Sequence, residues 1–161
     1  NLTPEAKEKG KKLIKSDAKV FKITDKTLEE VYKNYPVLWK NLNAKPKLCF
    51  IGCPHLSYAQ LESWAKNILE SLQKNGRKKV ACRTILTTPP QIADKFRKTP
   101  LFAELKKTGV KISSICPLMY TNNPIAGKQP IITSSNKLRT YSPARYYKDA
   151  GILSIITGGE K

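Results

Sequence analysis

The sequence predicts an α/β fold: three α/β/α layers around a mainly parallel sheet. Three observations predict it. Short apolar runs alternate with capped amphipathic stretches, the connections between them are short, and 161 residues that are 40% hydrophobic and 26% charged suffice for one buried core. Strands that alternate with helices over short connections imply right-handed crossovers, hence parallel pairing with both sheet faces covered.

Residues 1–19, lysine-rich from Lys7 to Lys15, read as a lead-in, either helical or frayed. Residues 20–161 read as a single domain, a fragment of a larger subunit. Residues 20–23 are a short apolar run, and Thr27-Leu28-Glu29-Glu30 has the form of a capping box. Leu28, Val31, Tyr32 and Tyr35 follow at helical spacing, so a short amphipathic helix is expected to end near Pro36. Residues 35–46, with two prolines and two asparagines, read as a loop.

The clearest unit follows. Lys47-Leu48-Cys49-Phe50-Ile51 is a buried strand stopped by Gly52 and Pro54. Ser57-Tyr58-Ala59-Gln60 is a second capping box, opening a helix whose apolar face is Leu61, Trp64, Ala65, Ile68, Leu69 and Leu72. Residues 79–86 are the next strand. Thr88-Pro89-Pro90-Gln91 starts a third helix, with Thr88 as cap and proline at the first helical position, interrupted near Pro100 and ending at Gly109. Residues 110–115 and 131–133 are expected to be strands, 142–150 a short helix and 152–156 a last strand.

No apolar run approaches the roughly 20 residues of a membrane helix, and no basic start followed by an apolar segment is present, so neither a secretory leader nor a membrane partner is expected. The chain opens with Asn1, as a processed protein or an excised piece would. The net charge is +18, which first suggests nucleic acid. The excess is nevertheless +6, +7 and +5 over residues 1–47, 48–107 and 108–161, an even coat, and 25 of the 30 basic residues are Lys, whereas base and phosphate readout favours Arg. A solvated lysine surface, an anionic small substrate or an acidic protein partner accounts for the charge better than nucleic acid.

Cys49 and Cys82 lie in strand-like runs and read as small core hydrophobes of a cytoplasmic, reduced protein. Cys53 and Cys116 differ: each ends an apolar run and is followed by proline. In open α/β sheets ligands bind beyond the carboxyl ends of strands. Gly52-Cys53-Pro54-His55, Cys116-Pro117 and Thr133-Ser134-Ser135-Asn136-Lys137 all fall on that edge, so Cys53, His55, Cys116 and Ser135 are expected to converge there. Thiolates suit iron–sulfur clusters and zinc, although a cysteine at a strand end can equally be packing. His55, the one histidine, is either a structural group or part of a site. Ser134, Ser135 and Lys137 either cap a helix or clamp an anion through hydroxyls and an ammonium; Arg139 and Arg145 either join that clamp or lie on the surface.

Three motifs in this order, Gly52-Cys53-Pro54-His55-Leu56-Ser57, Cys116-Pro117, and Thr133-x-Ser135-x-Lys137 with Tyr141-x-Pro143, resemble the C-terminal part of the large subunit of aconitase X, a family of the aconitase hydro-lyase superfamily. The resemblance spans roughly residues 20–150. It implies an aconitase-like domain in which Cys53 and Cys116 are two of three thiolates on an iron or iron–sulfur centre acting as a Lewis acid. It further implies His55 beside the centre as a catalytic residue, and Ser134, Ser135 and Lys137 against the substrate's anionic group. Members dehydrate mevalonate 5-phosphate or cis-3-hydroxy-L-proline. The family usually has Thr-Asn-Ser-Gly-Lys, where this chain has Ser134 and Asn136 at the variable places, and Leu138-Arg139-Thr140 replaces smaller residues. The third ligating cysteine and a serine base are implied elsewhere, in the rest of the large subunit and in a small subunit or fused small domain. Two other readings stand beside this one: a basic α/β module binding RNA or an acidic partner with inert cysteines, and a redox or zinc protein using Cys53, His55 and Cys116.

Overall fold

The computed structural model describes residues 2–121, 123, 124 and 126–158. The chain divides into two compact units, residues 1–35 and 36–161. In the first, α1 (Pro4–Lys9) starts where the Thr3 hydroxyl accepts from the Ala6 amide at 3.2 Å, and a 3-10 turn (Gly10–Leu13) follows it. Helix α2 (Asp25–Lys33) begins one turn earlier than the sequence suggests, because Thr24 and Thr27 cap each other. The Thr27 amide donates to the Thr24 hydroxyl at 3.3 Å and the Thr24 amide to that of Thr27 at 3.4 Å. Asp25 then adds a negative charge to the first turn. Residues 20–23 form no strand and are exposed, as are Leu28 and Val31 on α2.

The second unit is the α/β sandwich the sequence predicts. Strands β1 (Leu48–Ile51), β2 (Arg83–Thr87), β3 (Lys111–Ser113), β4 (Ile131–Thr133) and β5 (Arg145–Tyr146) form one sheet in the order β3-β2-β1-β4-β5, all parallel. The register sets Phe50 opposite Ile85 on one side and Thr133 on the other, so the ends of β1, β2 and β4 lie level. Strand β1 is central, and its side chains alternate between two clusters. Cys49 and Ile51 join Leu61, Ala65, Ile68 and Leu72 of α3 (Tyr58–Lys74), Phe96 of α4 (Pro90–Arg97) and Leu105 of α5 (Pro100–Lys107). Leu48 and Phe50 face the other way, with Ile85, Ile131 and Leu138 of α7 (Asn136–Tyr141). Leu118 of α6 (Pro117–Thr121) packs on the same cluster, and Tyr120 meets Phe50 edge to face at 5.4 Å.

Local chemistry explains the starts and breaks. Ser57 and Gln60 form the expected capping box of α3: the Ser57 amide donates to Gln60 Oε1 at 2.9 Å and the Gln60 amide to Ser57 Oγ at 3.3 Å. Pro100 ends the run of α4, and α5 restarts under a Thr99 cap, whose hydroxyl accepts from Phe102 at 3.2 Å.

Four expectations fail. Strand β2 begins at Arg83 rather than near residue 79, since the Val80 and Ala81 amides donate instead to Thr108 and Ile156 carbonyls. Thr88 does not cap α4; its hydroxyl donates to the Leu56 carbonyl at 2.7 Å. Residues 142–150 hold the edge strand β5 instead of a helix, its amide ladder drawn onto β4. Residues 152–156 are not a strand but the middle of α8 (Asp149–Thr157), closed by Gly158 at φ +74°. A five-residue, mostly apolar run does not reveal its own period; here Ile152 and Ile156, one turn apart, are fully buried against α3 and the sheet. Helix α6 has no counterpart in the expectations. Among the described residues no helix is long and apolar enough to cross a membrane.

Truncating Ile156 removes a fully buried side chain from the point where α8 meets the core. Ile156→Ala is expected to lower unfolding free energy by about 2–5 kcal/mol, read as a shift in the urea midpoint.

Candidate functional site at the carboxyl edge of the sheet

The end of β1 is an unusual piece of backbone. Gly52 has φ +105°, and a side chain there would strike the Thr87 carbonyl, with the Thr87 hydroxyl at 2.7 Å and Leu56 at 3.0 Å. Only glycine accepts both that dihedral and that approach. The Cys53–Pro54 bond is cis. The turn that results carries Cys53, half-buried, and His55, exposed, before Leu56 returns to the core.

This turn is held from both flanking strands by side-chain hydroxyls. From β2, Thr87 donates to the Gly52 carbonyl and Thr88 to that of Leu56 at 2.7 Å, while the Leu56 amide donates to the Thr87 carbonyl at 2.9 Å. From β4, Thr133 donates to the Phe50 carbonyl at 2.8 Å, and Ser135 donates to the carbonyl of Cys53 itself. The Ser135 oxygen in turn accepts from the Leu138 amide at 3.0 Å, so Ser135 is also the N-cap of α7. All four hydroxyl-bearing residues are buried, and among the described residues no buried side-chain polar atom lacks a partner.

Cys53 and Ser135 are directly joined. Ser134, half-buried, lies in the β4–α7 connection, and Lys137, exposed, in the first turn of α7. Cys116 is half-buried in the connection from β3 and accepts the Met119 amide at 3.0 Å as α6 begins. Its helix packs, through Leu118, on the cluster that also receives Cys53. Arg139 and Arg145, left open by the sequence, are engaged structurally. The Arg139 guanidinium donates to Asn136 Oδ1 at 2.8 and 3.0 Å, and Arg145 stacks over Trp39 and Tyr147 at 5.7 and 5.2 Å. Cys49 and Cys82 stand apart: burial pushes both thiols up, Cys49 strongly, so they stay protonated and inert.

All four cysteines are free. Among the described residues no three His, Cys, Asp or Glu side chains gather as a metal-holding group, so Cys53, His55 and Cys116 do not make a zinc site by themselves. Cys53 and Cys116, both free and half-buried, fit an iron–sulfur group in kind, as part of a thiolate set. A cavity of about 340 Å³, lined by Trp39, Ala44, Pro130 and Pro143, lies toward the amino end of β4, away from this edge. The signal the sequence did offer for the hydroxyl supports is positional: Thr87, Thr88, Thr133 and Ser135 all stand where a parallel strand ends.

Comparison with known proteins adds two findings. The family model described as the aconitase X third domain matches residues 46–156. The crystal structure of Thermococcus kodakaraensis aconitase X in its holo form is similar in fold, with a TM-score of 0.63 at 20% sequence identity over 83% of this chain. The chain spans 33% of that protein's length. No curated protein matches by sequence.

Gly52→Ala is expected to cost on the order of 3 kcal/mol or more, from φ strain plus the clash with Thr87. Gly76→Ala, at φ +63° with nothing near, should cost only about 1–2 kcal/mol. Parallel urea titrations of the two variants distinguish a crowded turn from a merely left-handed one.

Proposed function

The chain belongs to the aconitase X family, matching its third-domain model over residues 46–156, and on that premise we propose that it is one domain of a hydro-lyase dehydrating a small anionic hydroxy acid, mevalonate 5-phosphate or cis-3-hydroxy-L-proline. The observation that carries this reading is the Ser135-to-Cys53 hydrogen bond, which sets the thiol-bearing turn beside the turn that bears Ser134 and Lys137.

In this reading Cys53 and Cys116 hold an iron or iron–sulfur group, completed by a third cysteine from the rest of the large subunit. When bound, that group supplies Lewis acidity toward a substrate hydroxyl or carboxylate. The chain's own residues bind and orient. The turn of Ser134, Ser135 and Lys137 receives the substrate's anionic group, with the Lys137 ammonium as its charge. His55 is exposed on the Cys53 turn, where a ring nitrogen can hold a proton near the reacting hydroxyl. A serine base comes from a small subunit or a fused small domain. The four free cysteines accord with a cytoplasmic setting.

The direct test is iron content in the full-length enzyme after anaerobic reconstitution. Cys53→Ser and Cys116→Ser are each expected to lose most bound iron and the accompanying visible absorption while remaining folded by circular dichroism. Wild-type iron content in both variants defeats the proposal.

Lys137 supplies a second test. A charge-assisted hydrogen bond is worth about 1.5–3 kcal/mol, so Lys137→Ala is expected to lower kcat/KM by roughly 10- to 150-fold with little change in stability, since the side chain is exposed. Lys106→Ala, in the last turn of α5, is expected to be neutral; equal losses in both would reduce the effect to diffuse charge.

A further inference from the structure

Counting hydrogens limits what the hydroxyls at this edge can do. A serine or threonine hydroxyl has one proton to donate. That of Ser135 goes to the Cys53 carbonyl and that of Thr87 to the Gly52 carbonyl, while the Ser135 oxygen already accepts from Leu138. Neither donor is available to an incoming anion. Both residues are buried, and a buried hydroxyl is retained only if its bonds are made. Its bonds here are made to the cysteine turn and to nothing else outside its own element, save that Thr87 Oγ1 also lies 3.2 Å from the Ile51 carbonyl, the residue before that turn.

The two hydroxyls act from opposite sides. Thr87 ends β2 and Ser135 follows β4, the strands that flank β1. Between them the backbone of Gly52 and Cys53 is tied to both neighbours just where β1's own ladder has ended at Ile51. Without such ties this stretch would be free to swing as an ordinary loop, and the Cys53 thiol with it.

We infer that Ser135 and Thr87 are positioning residues for Cys53: they fix the peptide units on either side of its α-carbon so that the thiolate is presented to the iron group in one orientation. The inference rests on the proposed role of Cys53 as a ligand and refines that of Ser135, leaving the anion contacts to Ser134 and Lys137. Supports of metal ligands typically matter 10- to 100-fold for metal affinity.

The test follows iron release from the reconstituted full-length enzyme to excess bathophenanthroline, with melting temperature measured alongside. Ser135→Ala and Thr87→Val are each expected to release iron at least about 10-fold faster than wild type, and Ser135→Thr, which keeps the hydroxyl, to fall back toward wild type. Thr99→Ala removes the cap of α5 without touching the turn and is expected to lower the melting temperature while releasing iron at the wild-type rate. If Cys53→Ser loses its iron but Ser135→Ala and Thr87→Val release it at the wild-type rate, the positioning role is wrong and the proposed function stands. If Cys53→Ser keeps its iron, the proposed function fails and this inference with it. Acceleration by Thr99→Ala equal to that of the other two also overturns it, since general destabilisation would then explain the result. Should Ser135→Ala not fold, Thr87→Val decides alone.

Discussion

The backbone of Leu48–Ile51 is paired on one side to β2 and on the other to β4, and its side chains are divided between the two faces of the sheet. A strand in that position has no solvent-facing side, so every residue in it is apolar and every one is buried. The remaining layers are placed by this constraint. Cys49 and Ile51 draw α3 and α8 onto one face; Leu48 and Phe50 draw α6 and α7 onto the other. The edges of the sheet can be as short as the two residues of β5 because the centre carries the packing.

Where β1 ends, its carbonyls lose their strand partners in a place that is still buried. Buried carbonyls need donors, and neighbouring backbone amides cannot supply them all, because the neighbours also end there. Threonine and serine solve this locally. Thr87, Thr88, Thr133 and Ser135 stand on the last turns of the flanking strands and reach sideways to the carbonyls of Gly52, Leu56, Phe50 and Cys53. The same packing that demands Gly52 beside the Thr87 carbonyl therefore produces a well-held turn with a cysteine in it. A firmly held cysteine turn emerges from a structural need.

Charge contributes little to holding the fold together. The lysines are spread evenly, ion pairs such as Glu62–Lys66 and Asp94–Arg97 are exposed one-turn neighbours on single helices, and such pairs add little stability. Stability in residues 36–158 comes from the two apolar clusters. Beside the second cluster, on α7, on α6 and just before it, Ile115, Met119 and Tyr141 remain exposed.

Fold class was legible in the sequence because it depends on patterns that survive without tertiary contacts: the apolar run 47–51, the Ser57–Gln60 capping box and the proline break at 100 each specify local structure by their own chemistry. The cysteine turn was legible for the same reason, since Gly52 and Pro54 dictate a stop. Residues 152–156 show the limit. Four apolar residues around Ser154 satisfy a short strand or a helix equally, and only the slot left between α3 and the sheet made them helical. The role of Ser135 lay further out of reach. As a sequence it is a hydroxyl near a lysine, suited to an anion; its proton goes to Cys53, 82 positions away. Local chemistry determines which bonds a residue can make, and the register of parallel strands decided which of them it does make.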